Sequence, residues 1–294
     1  MATVARSLDI PFSAEDFDRV AALAHDRIGL HLEAHKRDLV YGRLAKRLRK
    51  LGLSSFKAYF DLLADANGEV EEGELLSLLT TNVTHFFREQ HHFEQMRDDI
   101  FPRLIKHAQS GQRVRLWSAG CSQGQEAYSL ALTIKELCPN AAQLDIRILA
   151  TDVDPKVLKF GFRGQYPEAE LDGIPKRLRQ IGTTKPKGGF FEIEPTTRSL
   201  VTFGELNLVK PWPTRGSFDV IFCRNVAIYF DKQTQEKLWM RFAKQLRAGA
   251  QLVVGHSERV TGPATAFLSN DGVTSYRKSD AKTHDDIDKT GRNK

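Results

Sequence analysis

Between Arg113 and Gly255 short apolar runs alternate with helical segments, and this alternation limits the fold more than any other feature of the chain. Val114–Ser118, Ile146–Thr151, Leu200–Gly204, Val220–Cys223 and Leu252–Gly255 have the length and composition of strands. Helical periodicity separates them at Glu126–Leu137, Pro155–Phe160 and Lys232–Leu246. Apolar strands joined by crossover helices form a parallel sheet covered on both faces, so this part of the chain reads as an α/β domain. The regularity fails between Ile174 and Phe203. There Thr183 to Gly189 reads as a turn and Phe190 to Ile193 as a strand, which predicts a small β-hairpin inserted at about residues 174–203.

The first 80 residues show three- and four-residue apolar spacing and no strand-like alternation, which predicts an all-α unit. Ser13 before Ala14-Glu15-Asp16 is an N-cap signal for a helix through Ile28. A second helix is predicted from Leu32 to Leu51, with Leu39, Val40, Leu44, Leu48 and Leu51 as its apolar stripe. Ser54-Ser55 precede a third at Phe56–Ala64, and an acidic run leads into a fourth ending near Leu79. From Lys36 to Lys50 the second helix carries Lys36, Arg37, Arg43, Lys46, Arg47, Arg49 and Lys50 against one acid, Asp38, so this stretch alone equals the net +6 of the 294-residue chain. Residues 81–278 then form the sheet domain, and residues 279–294, polar and without periodicity, are expected to be a disordered tail. No run approaches the roughly 18–20 apolar residues of a membrane span, and the polar N-terminus lacks a signal-peptide core. Three scattered cysteines, Cys121, Cys138 and Cys223, fit neither a disulfide framework nor a zinc site and point to a reducing cytoplasm.

Three segments carry chemistry. In Leu116–Glu126, a strand runs into a Gly/Ser turn that opens a helix, where small residues let backbone N–H groups approach a ligand. The segment is not GxGxxG and lacks a P-loop lysine, which disfavours a diphosphate. Asp152, 28 residues past Gly124, ends the next strand where a carboxylate can accept ribose hydroxyls. Together they describe a site for an adenosine ligand without a pyrophosphate grip, such as S-adenosylmethionine. Thr80 to Arg88 places polar residues before Phe86-Phe87 and an arginine; as plain structure it would be a helix cap made by Asn82 or Thr84 over two core rings. In Phe218–Asp231 an apolar strand ends in Arg224-Asn225, at the sheet edge where open α/β folds bind ligands. His91-His92 lie about 100° apart on a helix with no acid or cysteine at ligand spacing, so no metal site is predicted. His256, after the last strand, reads as structural or pocket-lining.

The motifs TTNVTHFFRE, LWSAGCSQGQEAYS, ATDVD, NLVKPWP, FDVIFCRNVAIYFD and VVGHSE, in this order over about residues 10–278, closely resemble the CheR family of bacterial chemotaxis receptor methyltransferases. The resemblance implies an all-α N-terminal domain followed by a Rossmann-like methyltransferase domain with a small inserted β-subdomain. It implies methyl transfer from S-adenosylmethionine to receptor glutamates, giving methyl esters and S-adenosylhomocysteine. The family's cofactor contacts fall on Asn82, Thr84, Arg88, Glu126, Asp152, Asn207, Leu208, Arg224 and Asn225, and the pair nearest the transferred methyl on Arg88 and Tyr229. Where the family reads STGEEPYS, this chain has Gln125 for the first acid and Ala127 for the proline, while the second acid is kept as Glu126.

A cytoplasmic monomer is expected, acting on the acidic helical bundle of chemoreceptors, with Arg43, Lys46, Arg47, Arg49 and Lys50 as the docking stripe and a receptor C-terminal peptide as a second contact at the β-subdomain. Solvation of an amphipathic helix is the plainer account of that stripe. Two rival functions stand beside this reading. A non-catalytic S-adenosylmethionine-binding signalling module has Gln125 as its only support. A nucleic-acid methyltransferase would use the basic helix on phosphates, but the chain has neither Asn/Asp-Pro-Pro-Tyr nor a paired-cysteine motif.

Overall fold

The structure, a computed structural model, describes residues 10–66, 68–213 and 217–279. The chain divides after Thr81 into two units. In the first, α1 (Ala14–Ile28) opens with a capping box between Ser13 and Asp16 and closes on Gly29 in the left-handed region. A 3-10 turn at Ala34–Lys36 precedes α2 (Arg37–Leu51), so the α-helix starts five residues later than its periodicity predicts. Ser55 caps α3 (Phe56–Ala64), and α4 (Gly68–Leu79) completes the unit. The buried stripe of α2 is Val40, Leu44, Ala45 and Leu48; Leu39, expected in it, is 52% exposed.

The bases of α2 do not form one free face. Arg47 makes a bidentate contact to Glu71 at 2.9 and 2.5 Å, and Tyr59 donates to the same carboxylate at 2.8 Å. Arg43 donates to the carbonyls of Leu78, Leu79 and Thr80, which are left over at the end of α4. Both arginines therefore work inside the bundle, while Lys46, Arg49 and Lys50 are exposed.

In the second unit α5 (His91–Gln95) runs through a π-helical turn at Met96–Ile100 into α6 (Phe101–Gln109). The chain then follows β1 (Val114–Ala119), α7 (Gln125–Leu137), β2 (Ile146–Asp152), α8 (Pro155–Arg163), β3 (Gln165–Pro167), α9 (Lys176–Gly182), β4 (Phe190–Glu192), α10 (Pro195–Arg198), β5 (Val201–Glu205), β6 (Phe218–Cys223), α11 (Lys232–Gln245), β7 (Leu246–Val254), β8 (Leu268–Asn270) and β9 (Ser275–Lys278). Seven strands form one sheet in the order β5-β2-β1-β6-β7-β9-β8. The first five are parallel, and β9 and β8 close the edge antiparallel. Strand order reverses between β1 and β6, where a parallel sheet opens a crevice at its carboxyl edge.

Alternate residues of each strand serve opposite faces. Leu116, Ile148, Val220 and Phe222 pack with Tyr128, Leu130, Ala131 and Ile134 of α7. Trp117, Ile221, Leu252 and Val254 pack with Leu238, Trp239 and Phe242 of α11. The small second sheet differs from the predicted hairpin. Phe190–Glu192 pairs with Gln165–Pro167, upstream of the segment read as the insertion, and α9 lies between them in the chain. A three-residue strand carrying a proline has too little alternation to be read from sequence. The predicted turn is present, with Gly188 and Gly189 at positive φ and Lys187 bridged to Phe190. Of residues 279–294, read as a tail, all but Ser279 lie outside the described residues.

No helix among the described residues is long and apolar enough to cross a membrane. Because Glu71 is only 6% exposed and depends on Arg47, Arg47→Ala should destabilise the protein by about 3 kcal/mol, whereas Lys46→Ala should stay within about 0.5 kcal/mol. Thermal melts of the two variants followed by circular dichroism check this.

Candidate active site

Three loops meet at the β1/β6 crevice. The first leaves β1. Gly120 and Cys121 donate to the Thr151 carbonyl, carrying the chain past the end of β2, and Gly124 closes a turn on the Cys121 carbonyl. Gly120 (φ 80°) cannot be replaced in place, because a Cβ there would come within 2.4 Å of a Val226 methyl. Asp152 organises this loop, accepting from Ser122 N–H at 2.9 Å and from Asp154 N–H at 3.0 Å. Each carboxylate oxygen keeps a lone pair for a further donor. Burial raises the Asp152 carboxyl above its ordinary range, and backbone donors, Asp154 and Ser122 foremost, oppose that rise.

The second loop is Asn82–Gln90. Asn82 donates to Asp154 at 3.2 Å, and its carbonyl accepts from Ser122 Oγ at 3.0 Å. Thr84 is half-buried beside it. Neither residue caps a helix, contrary to the plainer reading, because residues 81–85 are irregular and the next helix starts only at His91. Phe87 N–H donates to Ser129 Oγ of α7 at 3.0 Å, and Phe86 sits edge-on to Tyr166 of β3, 4.9 Å between ring centres. These anchors leave Arg88 half-buried, its guanidinium donating to the Val83 carbonyl at 3.1 Å.

The third loop follows β6 and is joined to the others by Arg224. Its guanidinium is 2% exposed, lies 3.5 Å from Glu89 and 3.5 Å from Glu126, and donates to the Arg88 carbonyl. The rings of Phe93 and Phe222 flank it at 5.5 and 5.8 Å. The guanidinium pairs with these two carboxylates and so clips the loops together, while its Nε is buried without a hydrogen-bond partner. Glu126 also accepts from Ser118 Oγ at 2.7 Å. Burial raises the Glu126 carboxyl, with Arg224 and Ser118 opposing. Asn225, half-buried, holds a positive φ of 59°, and its Oδ1 is buried without a hydrogen-bond partner. Tyr229 stands four residues on, in the 3-10 turn Ala227–Tyr229. Asn207 and Leu208 follow β5 past Leu206, whose N–H donates to the Asp152 carbonyl; Asn207 Oδ1 accepts from Val209 N–H.

Backbone strain concentrates here. Of the five non-glycine residues with positive φ among the described residues, Phe87, Glu89, Ser122 and Asn225 belong to these loops. Each such residue costs about 1–2 kcal/mol, which packing elsewhere must offset.

Residues 82–275 match the family described as CheR methyltransferase, SAM binding domain, and residues 15–80 its all-alpha domain. The chain belongs to the CheR methyltransferase family. A probable chemotaxis protein methyltransferase of Rhizobium etli is 49% identical over 252 residues, covering 85% of this chain and 94% of that one. The Escherichia coli chemotaxis protein methyltransferase is 39% identical, covering 92% and 93%. Chemotaxis protein methyltransferase 2 of Pseudomonas aeruginosa is 38% identical, covering 90% and 93%. This CheR-family chain is thus an S-adenosylmethionine-dependent methyltransferase, and its crevice suits that cofactor. It offers a turn of small residues, carboxylates at Asp152 and Glu126, and the orphaned Asn225 acceptor.

Glu89 was missed at the sequence level, although it closes the TTNVTHFFRE motif. It stands 3.5 Å from His92 Nδ1 and 3.1 Å from His256 Nδ1, which corrects the reading that no acid sits at ligand spacing from the His91-His92 pair. Glu89, His91 and His92 offer ligand atoms within 4.8 Å of one another, but Arg224 shares the same carboxylate oxygen. Burial works against ionised Glu89, yet Arg224 and His256 hold its carboxyl below the ordinary range.

His92 is fully buried, its Nε2 bonded to the Val273 carbonyl and Thr274 Oγ1. Burial, and then Arg224, push its pKa down to about 3. The unfolded chain takes up this proton near pH 6.5, the folded chain only near 3, so the unfolded state binds more protons in that window. Stability should therefore fall as pH drops from about 6.5 toward 3, and His92→Gln should flatten that dependence in urea titrations at stepped pH.

Proposed function

We propose that this enzyme transfers a methyl group to glutamate side chains of methyl-accepting chemoreceptors, forming glutamate methyl esters in sensory adaptation. The observation that carries the reading is the buried Arg224 clip, which ties Arg88-Glu89, Glu126 and the Asn225–Tyr229 turn to one crevice. The named chemotaxis relatives support the substrate class.

When bound, S-adenosylmethionine would supply a methyl whose bond to the sulfonium sulfur breaks as the ester bond forms, the electron pair going to sulfur and neutral S-adenosylhomocysteine leaving. A glutamate carboxylate is already ionised at neutral pH, so the chain needs to provide no general base. Its task is orientation, bringing the attacking oxygen into line behind the methyl. Asn82, Thr84, Asp152, Asn207 and Leu208 would hold the adenosine end, and Glu126, Asn225 and Arg224 the amino acid end. Arg88 and the Tyr229 hydroxyl would direct the incoming carboxylate. Charge is neutralised as the reaction proceeds, so a strong arginine pair would favour the ground state over the transition state. Arg88, already shared with the Val83 carbonyl, is better suited to positioning than to electrostatic stabilisation.

Receptor docking is assigned to the exposed bases of α2, in the cytoplasm, by a monomer. With Arg43 and Arg47 committed inside the bundle, Lys46, Arg49 and Lys50 are the bases that remain for an acidic helical partner. They are spaced i, i+3 and i+4, on one helix face. A receptor C-terminal peptide at the β3–β4 sheet belongs to the same reading.

Arg88→Ala and Tyr229→Phe should each lower receptor methylation by about 10²-fold, with Tyr229→Phe leaving S-adenosylhomocysteine affinity nearly unchanged; full turnover in both would remove the assignment. Changing Lys46, Arg49 and Lys50 together to glutamate should raise the KM for receptor several-fold without altering cofactor affinity. Steady-state methylation of receptor-containing membranes, beside calorimetric titration with S-adenosylhomocysteine, reads both.

A further inference from the structure

Glu258 is 4% exposed, and its carboxylate faces backbone rather than a cation. Oε2 accepts from Gly255 N–H at 2.6 Å and Asn225 N–H at 2.8 Å; Oε1 accepts from Val226 N–H at 3.0 Å and Ile228 N–H at 3.2 Å. Four amides from two loops thus converge on one buried anion, the arrangement that otherwise binds a phosphate or sulfate. Its surroundings admit little else. A Cβ at position 255 would come within 2.7 Å of Asn225 N and 2.8 Å of Glu258 Oε2, so the glycine is what lets the carboxylate reach the turn. Val226, held by the same carboxylate, is the residue against which Gly120 of the β1 loop closes. Burial raises the Glu258 carboxyl and the backbone donors oppose that rise, as they must, since only the ionised form can accept all four.

The turn so gripped begins at Asn225, strained at positive φ with an unpartnered Oδ1, and ends at Tyr229, whose N–H donates to the Val226 carbonyl. We propose that Glu258 is a positioning residue for methyl transfer, a built-in anion that sets Asn225 toward the cofactor and Tyr229 toward the substrate carboxylate. This rests on the methyltransferase reading above. Glu258 itself touches neither reactant, and its effect travels through the backbone of the turn.

The test uses two variants of the full chain. Glu258→Gln keeps the side-chain volume but turns an NH2 group toward amides that need an acceptor. Glu258→Ala removes the four atoms Cγ, Cδ, Oε1 and Oε2, a space with the shape of acetate. Both variants should lower kcat at least about tenfold, the scale of one lost hydrogen bond to a charged group, with receptor KM within about twofold. Acetate, against chloride at equal ionic strength, should restore several-fold of the loss in Glu258→Ala and nothing in Glu258→Gln or Tyr229→Phe. Near-normal turnover in folded Glu258→Gln overturns the proposal. So do losses in both variants that match only their unfolded fraction by circular dichroism, with no acetate response. If the unsubstituted enzyme fails to methylate receptor, the functional reading falls. Glu258 is then judged on S-adenosylhomocysteine affinity, which Glu258→Ala should weaken at least about tenfold and acetate should recover.

Discussion

A guanidinium with almost no access to water holds the three loops of the candidate site together. Arg224 directly follows β6, beside the point where the strand order reverses, and it meets two acids that arrive from different parts of the chain. Glu89 comes from the loop before α5, and Glu126 from the first turn of α7. Removing Arg224 would leave two carboxylates without their counter-charge, a far larger penalty than the cluster is worth against an apolar replacement. The clip is therefore better understood as specifying one loop arrangement than as adding stability. It explains how four strained residues persist in those loops, since strain survives only where the surroundings determine the conformation several times over.

The sheet was legible because β1, β2, β6 and the second half of β7 are mostly buried and read as apolar runs. β5, an edge strand with no fully buried residue, starts one residue after its predicted position, but β7 begins at Leu246 rather than at the predicted Leu252, because Arg247 to Gly249 break its apolar run. The helices predicted between the strands agree to within about three residues at each end. What escaped notice was short or one-sided. β8 and β9 have three and four residues, and β3 contains a proline, so none of them presents a period to read. In the helical unit, charge count misled where partners decided. Arg43 and Arg47 look like members of a basic face, yet the carbonyls ending α4 and the Glu71 carboxylate claim them. Nothing local in α2 announces a partner more than twenty residues away.

At the candidate site, the motifs pointed to segments that the structure gathers at one sheet edge, and the structure supplies their geometry. Asp152 could be placed at a strand end from spacing, but its grip on Ser122 and Asp154 depends on a loop conformation that spacing does not encode. Gln125 is a departure whose setting is now visible. It is buried and donates to Glu170 at 3.1 Å, a position where an acid would face a like charge. The substitution thus has a local structural partner, which removes the one feature favouring a damaged, non-catalytic module. Glu89 and Glu258 carry no signal as single residues; their importance lies in which buried donors they meet.

Ester formation on the receptor is decided by incubating purified enzyme with tritiated S-adenosylmethionine and receptor-containing membranes and then adding mild base. Counts released as volatile methanol, and absent when the receptor glutamates are replaced by alanine, are the predicted result. Base-stable counts on the receptor, or no incorporation by an enzyme that binds S-adenosylhomocysteine, would contradict it.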